Sequence, residues 1–181
     1  MHLASAVKIV TVDSLDVIAA NVANPSPDAV NRSVSPLSQT APEMIAPILD
    51  AKRGQFYMAV YKLSKAKNAT GVEKIDGPQA MYEKVQSDSL FTTDQVVEMF
   101  ANSDKTLHLL GDGLLFHENT FRDRGVHILD KALWSPQASN VHLLGLKMAE
   151  QGQFADPYAL APHYIRRPEA EEKWEKLTGN R

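Results

Sequence analysis

Residues 45–62 read IAPILDAKRGQFYMAVYK, two apolar runs separated by a short polar segment that ends in glycine. The runs predict two strands, Ile45–Leu49 and Gln55–Lys62, because both are short and rich in residues that sheets favour. The segment Asp50–Gly54 predicts a tight hairpin connection, since Gly54 can adopt the left-handed backbone that such a loop usually requires.

The second strand of this hairpin is apolar on both faces. One face carries Phe56, Met58 and Val60, and the other carries Tyr57, Ala59 and Tyr61. This pattern predicts a strand that is covered on both sides. Pro47 cannot donate a hydrogen bond to a neighbouring strand, so the first strand is expected at a sheet edge or is expected to begin at that residue.

Outside the hairpin, strand and helix patterns alternate, which predicts an α/β fold. The predicted strands are Val7–Val12 (buried), Val72–Ile75, Leu107–Leu110 and His127–Leu129. The predicted helices are Ser14–Ala23, Leu114–Phe121, Asn140–Gln151 and Pro168–Lys176, and Asp13 is expected to cap the first of them. A single helical turn is predicted at Met81–Val85. A further helix is expected to begin with a capping box at Thr92–Gln95. Asn24–Pro42 is predicted to be a long loop, and Ala66–Gly71 a turn.

Composition excludes several classes of protein. The chain has 181 residues, of which 44% are hydrophobic and 23% charged, so it is neither fibrous nor wholly disordered. It has no cysteine, which excludes disulfides and thiolate zinc sites. The net charge of -3 does not favour binding of the whole chain to nucleic acid or to an anionic membrane. With no apolar run of membrane-spanning length and no signal-peptide pattern, a cytoplasmic protein is expected.

Gly111-Asp112-Gly113 follows a predicted strand and precedes a predicted helix. Two interpretations remain open, a tight turn and a nucleotide-binding loop whose amides hold a phosphate. The dinucleotide fingerprint would need a third glycine where Phe116 stands, and there is no Walker motif. The histidines lack metal-site spacing and no serine lies in a nucleophile elbow, so we predict no catalytic residue, metal or cofactor.

Charged residues cluster in the hairpin connection and near the C-terminus. Asp50, Lys52 and Arg53 suit either a contact with a partner or a phosphate, or a solvated turn. Arg166 and Arg167 are followed by four glutamates, which favours a solvated, salt-bridged helix over a nucleic-acid surface. Trp174 on that helix is expected to pack on the body of the protein or against a partner.

Three stretches together resemble the TsaB (YeaZ) family, the tRNA threonylcarbamoyladenosine biosynthesis proteins related to the M22 glycoproteases. They are VDSLDVIA at 12–19, ILDAKRGQFY at 48–57 and PHYIRRPEA at 162–170. The resemblance implies a fold similar to actin-like ATPases, built of ribonuclease-H-like lobes.

The resemblance also implies a function. Such a protein is a non-catalytic partner of a TsaD-type subunit, which works with an ATPase helper to transfer a threonylcarbamoyl group onto a tRNA adenosine. It implies no direct tRNA binding. The residues expected to contact the partner are Asp50, Lys52, Arg53, Tyr164, Arg166 and Arg167.

The family normally opens with an Asp-Thr-Ser strand and a glycine-rich segment that this sequence lacks. Residues 1–181 are therefore expected to form a single lobe similar to the family's C-terminal lobe, with a long loop at 24–42 and a charged tail at 166–181. Alternative functions are a small M22-type hydrolase, a nucleotide-binding protein, a module that self-associates as a homodimer, or a truncated copy that no longer binds its partner.

Overall fold

The hairpin predicted from residues 45–62 is confirmed. In the computed structural model, which describes residues 7–27, 42–64, 81–101, 107–162 and residues 165, 174 and 178, strand β1 spans Met44–Asp50 and strand β2 spans Gln55–Ser64. The two strands are antiparallel, with Asp50 opposite Phe56 at the closed end.

The other elements build one mixed sheet with helices packed on it. They are α1 (Ser14–Ala23), β3 (Met81–Thr92), α2 (Thr93–Ala101), β4 (Leu107–Leu110), α3 (Glu118–Arg122), β5 (His127–Ile128) and α4 (Ala138–Glu150). Short 3₁₀ turns lie at Asp112–Leu114 and Lys131–Leu133. The strand order is β3-β2-β1-β4-β5. Strands β1, β2 and β3 are antiparallel neighbours, whereas β1, β4 and β5 run parallel.

The prediction that Pro47 marks a sheet edge or the start of a strand is wrong. Strand β1 is the middle strand of the five, and Pro47 lies within it, opposite Leu110 of β4. On the β2 side, Ile45 and Ile48 have partners but the two residues between them do not. The missing N–H of Pro47 therefore interrupts the ladder only locally, and the flanking pairs preserve the register.

Both faces of β2 are covered, as its sequence predicts. Phe56, Met58 and Ala59 are fully buried. Phe121 of α3 packs on one face, with its ring centroid 5.4 Å from that of Phe56. Helix α1 covers the opposite face, where the Tyr61 hydroxyl donates a 2.6 Å hydrogen bond to Asp16. The core thus lies on both sides of the central strands.

Helix α1 is fixed at both ends. At its N-terminus the Asp13 carboxylate accepts from the Leu15 amide at 2.7 Å, which confirms the predicted cap. Near its other end, the buried Asn21 donates to the Leu133 carbonyl oxygen at 2.9 Å. Asn140 of α4 donates in turn to the Asn21 side-chain oxygen at 2.8 Å. These buried amide contacts fix the position of α1 relative to α4.

The prediction of a buried strand over Val7–Val12 is wrong. Only Ile9 makes a β-bridge, with Ala155, and Val7 is exposed. β-branched residues favour a strand only where a neighbouring strand offers a continuous ladder. Here the neighbouring segment around Ala155 pairs with residues 7–12 only at Ile9.

The helical turn predicted at Met81–Val85 is a second error, because these residues begin the 12-residue strand β3. Glu83 and Val85 are more exposed than Tyr82 and Lys84, so this segment alternates with the period of a strand. The sequence conceals this period, because the charged Lys84 is half-buried while the apolar Val85 is exposed.

Three predictions for the second half of the chain have different outcomes. The helix predicted at Leu114–Phe121 begins only at Glu118, after a 3₁₀ turn. The capping box is confirmed: the Thr92 amide donates to the Gln95 side chain at 2.8 Å, and the Gln95 amide donates to the Thr92 hydroxyl at 3.3 Å. Trp174 is 68% exposed, and its contact with the body or with a partner stays a prediction.

Several predictions lie wholly or mostly outside the described residues. They are the strand at Val72–Ile75, the turn at Ala66–Gly71, the helix at Pro168–Lys176 and most of the loop at Asn24–Pro42.

The turn after β4 lies directly against β1. Gly111 has a φ of 117°, and a Cβ added to it would lie 2.2 Å from the Ile48 carbonyl oxygen. Only glycine permits both this conformation and this approach. Gly125 also has a positive φ, of 77°, but a Cβ there would meet no atom within 4 Å.

Replacing each of these two glycines with alanine distinguishes the free-energy cost of backbone strain alone from the cost of strain combined with a steric overlap. Gly125→Ala should lower the free energy of unfolding by about 1 kcal/mol, the cost of a left-handed non-glycine residue. Gly111→Ala should lower it by about 3 kcal/mol or more, because the added methyl also overlaps β1. Urea unfolding of both variants measures the difference, and equal losses would contradict the close packing of the turn.

Candidate functional site

The hairpin connection has an unusual backbone. Lys52, Arg53 and Gly54 all have positive φ values, of 65°, 57° and 68°. This conformation costs free energy for residues that carry a Cβ, and it often marks a functional segment. Asp50 stabilises the connection, since its carboxylate accepts from the Lys52 amide and from the Lys52 ammonium, each at 2.7 Å. The Lys52 bond also lowers the pKa of Asp50.

The Gly111–Gly113 turn packs against this hairpin connection. A Cβ on Gly113 would lie 3.2 Å from the Asp50 amide nitrogen. The parallel strands β1 and β4 end at the same edge of the sheet, which is where open α/β sheets usually bind ligands. Burial, and secondarily the nearby Asp50 carboxylate, raise the pKa of Asp112.

The hydrogen bonds of the turn favour the tight-turn interpretation. The Leu114 amide donates to the Gly111 carbonyl at 3.2 Å, and the Leu115 amide donates to the Asp112 carbonyl at 3.0 Å. Amides used inside the turn are not free to hold a phosphate, and the Asp112 carboxylate would repel one. The nucleotide-binding role of Gly111, Asp112 and Gly113 stays a prediction.

A prominent apolar residue in this region was not singled out from the sequence as a candidate contact. Phe116 is 84% exposed, and its neighbour Leu115 is about half exposed. The residues on either side are held in place: Leu114 is fully buried, and the His117 ring lies edge-on to Phe56 at 5.1 Å. The Leu-Leu-Phe-His run could have drawn attention to Phe116, because a turn this short cannot bury every apolar side chain.

We call residues 50–54 together with 111–116 the hairpin–turn surface. It brings together six of the residues predicted from the sequence, namely Asp50, Lys52, Arg53, Gly111, Asp112 and Gly113. The remaining predicted contacts, Tyr164, Arg166 and Arg167, lie outside the described residues.

A second group of charged side chains joins α1 to β3. Lys84 of β3 contacts Asp16 and Asp88 at 2.8 Å each, and Asp13 at 3.9 Å. We call these four residues the Lys84 cluster. Burial lowers the pKa of Lys84, but the hydrogen bonds to Asp16 and Asp88 outweigh it and raise the pKa overall.

The carboxylates of the Lys84 cluster also contribute to the raised pKa of Asp13 and of the neighbouring Tyr61. Burial, followed by the hydrogen bond to Asp16, raises the pKa of Tyr61. Burial and a hydrogen bond to Asp88 raise the pKa of Asp13 to about 6. The capping role of Asp13 was predicted from the sequence, but its proximity to Asp88 was not, because the two residues lie far apart in the chain.

A cleft of about 840 Å³ lies beside this cluster. Its lining includes Asp13, Tyr57 and Asp88 together with residues of the 155–162 segment. Within the described ranges, no group of three or more histidine, aspartate or glutamate side chains is arranged to hold a metal ion. No helix among those same residues is long and apolar enough to cross a membrane.

The sequence is similar to a curated protein, the tRNA threonylcarbamoyladenosine biosynthesis protein TsaB of Bacillus subtilis (strain 168). The two are 28% identical over 135 residues, which cover 72% of this chain and 51% of the relative. The chain thus spans about half the length of the relative that it matches. No protein-family model matches the chain.

The fold is similar to two solved structures from Pseudomonas aeruginosa. A protein described as similar to peptidase YEAZ superposes with a TM-score of 0.59, and YeaZ itself with a TM-score of 0.54. Each is 15% identical, and the superpositions cover 91% and 90% of this chain and 62% of either relative. These structures confirm the predicted α/β class of the ribonuclease-H-like, actin-like type. Together with the similarity in sequence, they confirm the resemblance of this chain to the TsaB (YeaZ) family.

Proposed function

We propose that this protein is a non-catalytic subunit in tRNA threonylcarbamoyladenosine biosynthesis and that it binds a TsaD-type catalytic subunit. The observation that carries the proposal is the sequence similarity to TsaB over 135 residues. In this proposal the chain is one lobe, an ATPase helper joins the complex, and the protein acts in the cytoplasm. The catalytic subunit, rather than this acidic chain, holds the tRNA.

The hairpin–turn surface is the partner-binding site in this proposal. Phe116 supplies an apolar anchor, and the exposed end of the Lys52–Asp50 ion pair, where the Lys52 side chain is 77% exposed, supplies a polar contact. The backbone that carries these groups is anchored on both sides, since Asp50 bonds to Lys52 at 2.7 Å and Leu114, two residues before Phe116, is buried. A surface that is already ordered loses less entropy when a partner binds, and large aromatic residues are frequent binding hot spots. A fitting partner would present an apolar pocket with carboxylates at its rim.

Co-expression with the TsaD-type protein of the same organism tests the proposed function. We expect the two chains to elute together in size-exclusion chromatography, with a mass by light scattering that equals their sum. Failure to form a complex, with both proteins folded and with the ATPase helper also present, would contradict the proposal. ATP binding by this chain alone, abolished by Gly113→Ala, would instead favour the nucleotide-binding alternative.

The role of Phe116 gives a sharper prediction. Phe116→Ala should weaken binding of the catalytic subunit by about 30-fold, which corresponds to about 2 kcal/mol for a hot-spot aromatic residue. It should change the free energy of unfolding by less than about 0.5 kcal/mol, because the ring is exposed. Calorimetric titration measures the first effect and thermal unfolding the second.

Val85→Ala is the matched control for this variant, since Val85 is also an exposed apolar residue but lies on β3, away from the hairpin–turn surface. It should leave the affinity unchanged. Equal loss of affinity in both variants, or no loss in either, would exclude Phe116 as the anchor.

A further inference from the structure

The Lys84 cluster contains more negative than positive charge. Three carboxylates, Asp13, Asp16 and Asp88, surround the single ammonium group of Lys84. The Asp88 side chain is only 9% exposed and that of Asp13 is 31% exposed, so water screens these charges incompletely. An additional proton would reduce the repulsion between the carboxylates.

Asp13 is the member of the cluster that Lys84 neutralises least. The Lys84 nitrogen lies 2.8 Å from an oxygen of Asp16 and of Asp88, but 3.9 Å from the nearer Asp13 oxygen. Asp13 and Asp88 both face the Lys84 ammonium, and both line the adjoining cleft, so their carboxyl groups are neighbours. Two neighbouring carboxyl groups can form a hydrogen bond with each other only when one of them is protonated.

Each element around Asp13 contributes a charged or titratable group. Helix α1 contributes Asp16, strand β3 contributes Lys84 and Asp88, and strand β2 contributes Tyr61. Asp156 and Tyr57 line the adjoining cleft. Lys84 is the only positively charged group among these. None of the other groups can therefore neutralise the Asp13 and Asp88 carboxylates in place of a proton.

We propose that Asp13 and Asp88 form a proton-operated latch between α1 and β3. When the two carboxyl groups share a proton, their hydrogen bond fastens the first turn of α1 to β3 at the wall of the cleft. When the proton leaves, the carboxylates repel each other and this contact loosens. Because Asp13 also caps α1 through the Leu15 amide, loosening affects the first turn of the helix.

The direction of the pH dependence follows from the pKa of Asp13. Burial and the bond to Asp88 raise this pKa from 3.8 to about 6 in the folded protein. The folded state therefore binds the proton more tightly than the unfolded state does. The resulting stabilisation is fully present below pH 3.8 and is lost as the pH rises through about 6. The latch is closed in mildly acidic solution and opens towards neutral pH.

Asp13→Asn removes the switch and keeps the helix cap. The asparagine carbonyl can still accept from the Leu15 amide, and its NH₂ group can donate to Asp88 at any pH. Between pH 5 and pH 8, the unfolding equilibrium constant of the unmodified protein should rise about ten-fold relative to that of the variant. Urea unfolding at each pH measures the ratio.

Asp130→Asn is the matched control. Asp130 also caps a short helix, where it accepts from the Ala132 amide at 2.8 Å, but it does not belong to the Lys84 cluster. This variant should follow the pH profile of the unmodified protein. If Asp13→Asn follows that profile as well, the latch is excluded.

A second measurement requires no variant. Carbon-13 NMR of the side-chain carboxyl groups, recorded in the full unmodified chain, should show the Asp13–Asp88 pair titrating in two steps, one of them near pH 6. Exchange of the Leu15 amide, corrected for its intrinsic rate, should become faster above that step. Titration of both carboxyl groups below about pH 4.5 would overturn the proposal even if Asp13→Asn failed to fold. None of these outcomes depends on the proposed function.

Discussion

The approach of Gly111 to the Ile48 carbonyl oxygen is the constraint on which the arrangement of the sheet depends. A Cβ at that position would lie 2.2 Å from the oxygen, so β4 can turn against β1 only through glycine. This contact brings the ends of the two parallel strands together and presses the turn onto the hairpin connection. Leu114 of the turn is thereby buried, whereas Phe116, two residues further on, is exposed.

Local interactions made much of the fold predictable. The hairpin, the Asp13 cap and the Thr92–Gln95 capping box depend on residues close together in the chain, and all three form as expected. The errors arose where distant contacts decide the outcome. Pro47 lies in a central strand because β4 packs beside it, and the run around Ile9 lacks a continuous strand because its neighbour meets it at one residue.

The candidate site was predictable only in part, since its residues are visible in the sequence but their contacts with one another are not. The charges of Asp50, Lys52 and Arg53 are visible in the sequence, as are the glycines of the turn. That the two segments touch follows from the parallel pairing of β1 with β4, which no local pattern indicates. The Lys84 cluster was harder still to foresee, because the bulged β2–β3 pairing helps to set which β3 side chains face α1.

The mixed sheet also has a consequence for the order of folding. Strands β1 and β2 are joined by four residues and can pair within microseconds, whereas the β1–β4 ladder must wait for a long loop to close. A transition state that contains the hairpin and not β4 would give high φ-values around Phe56 and low ones around Leu109. The edge of β1 that later receives β4 would meanwhile lie open to other chains, so slow parallel pairing would make this protein prone to aggregate while it folds.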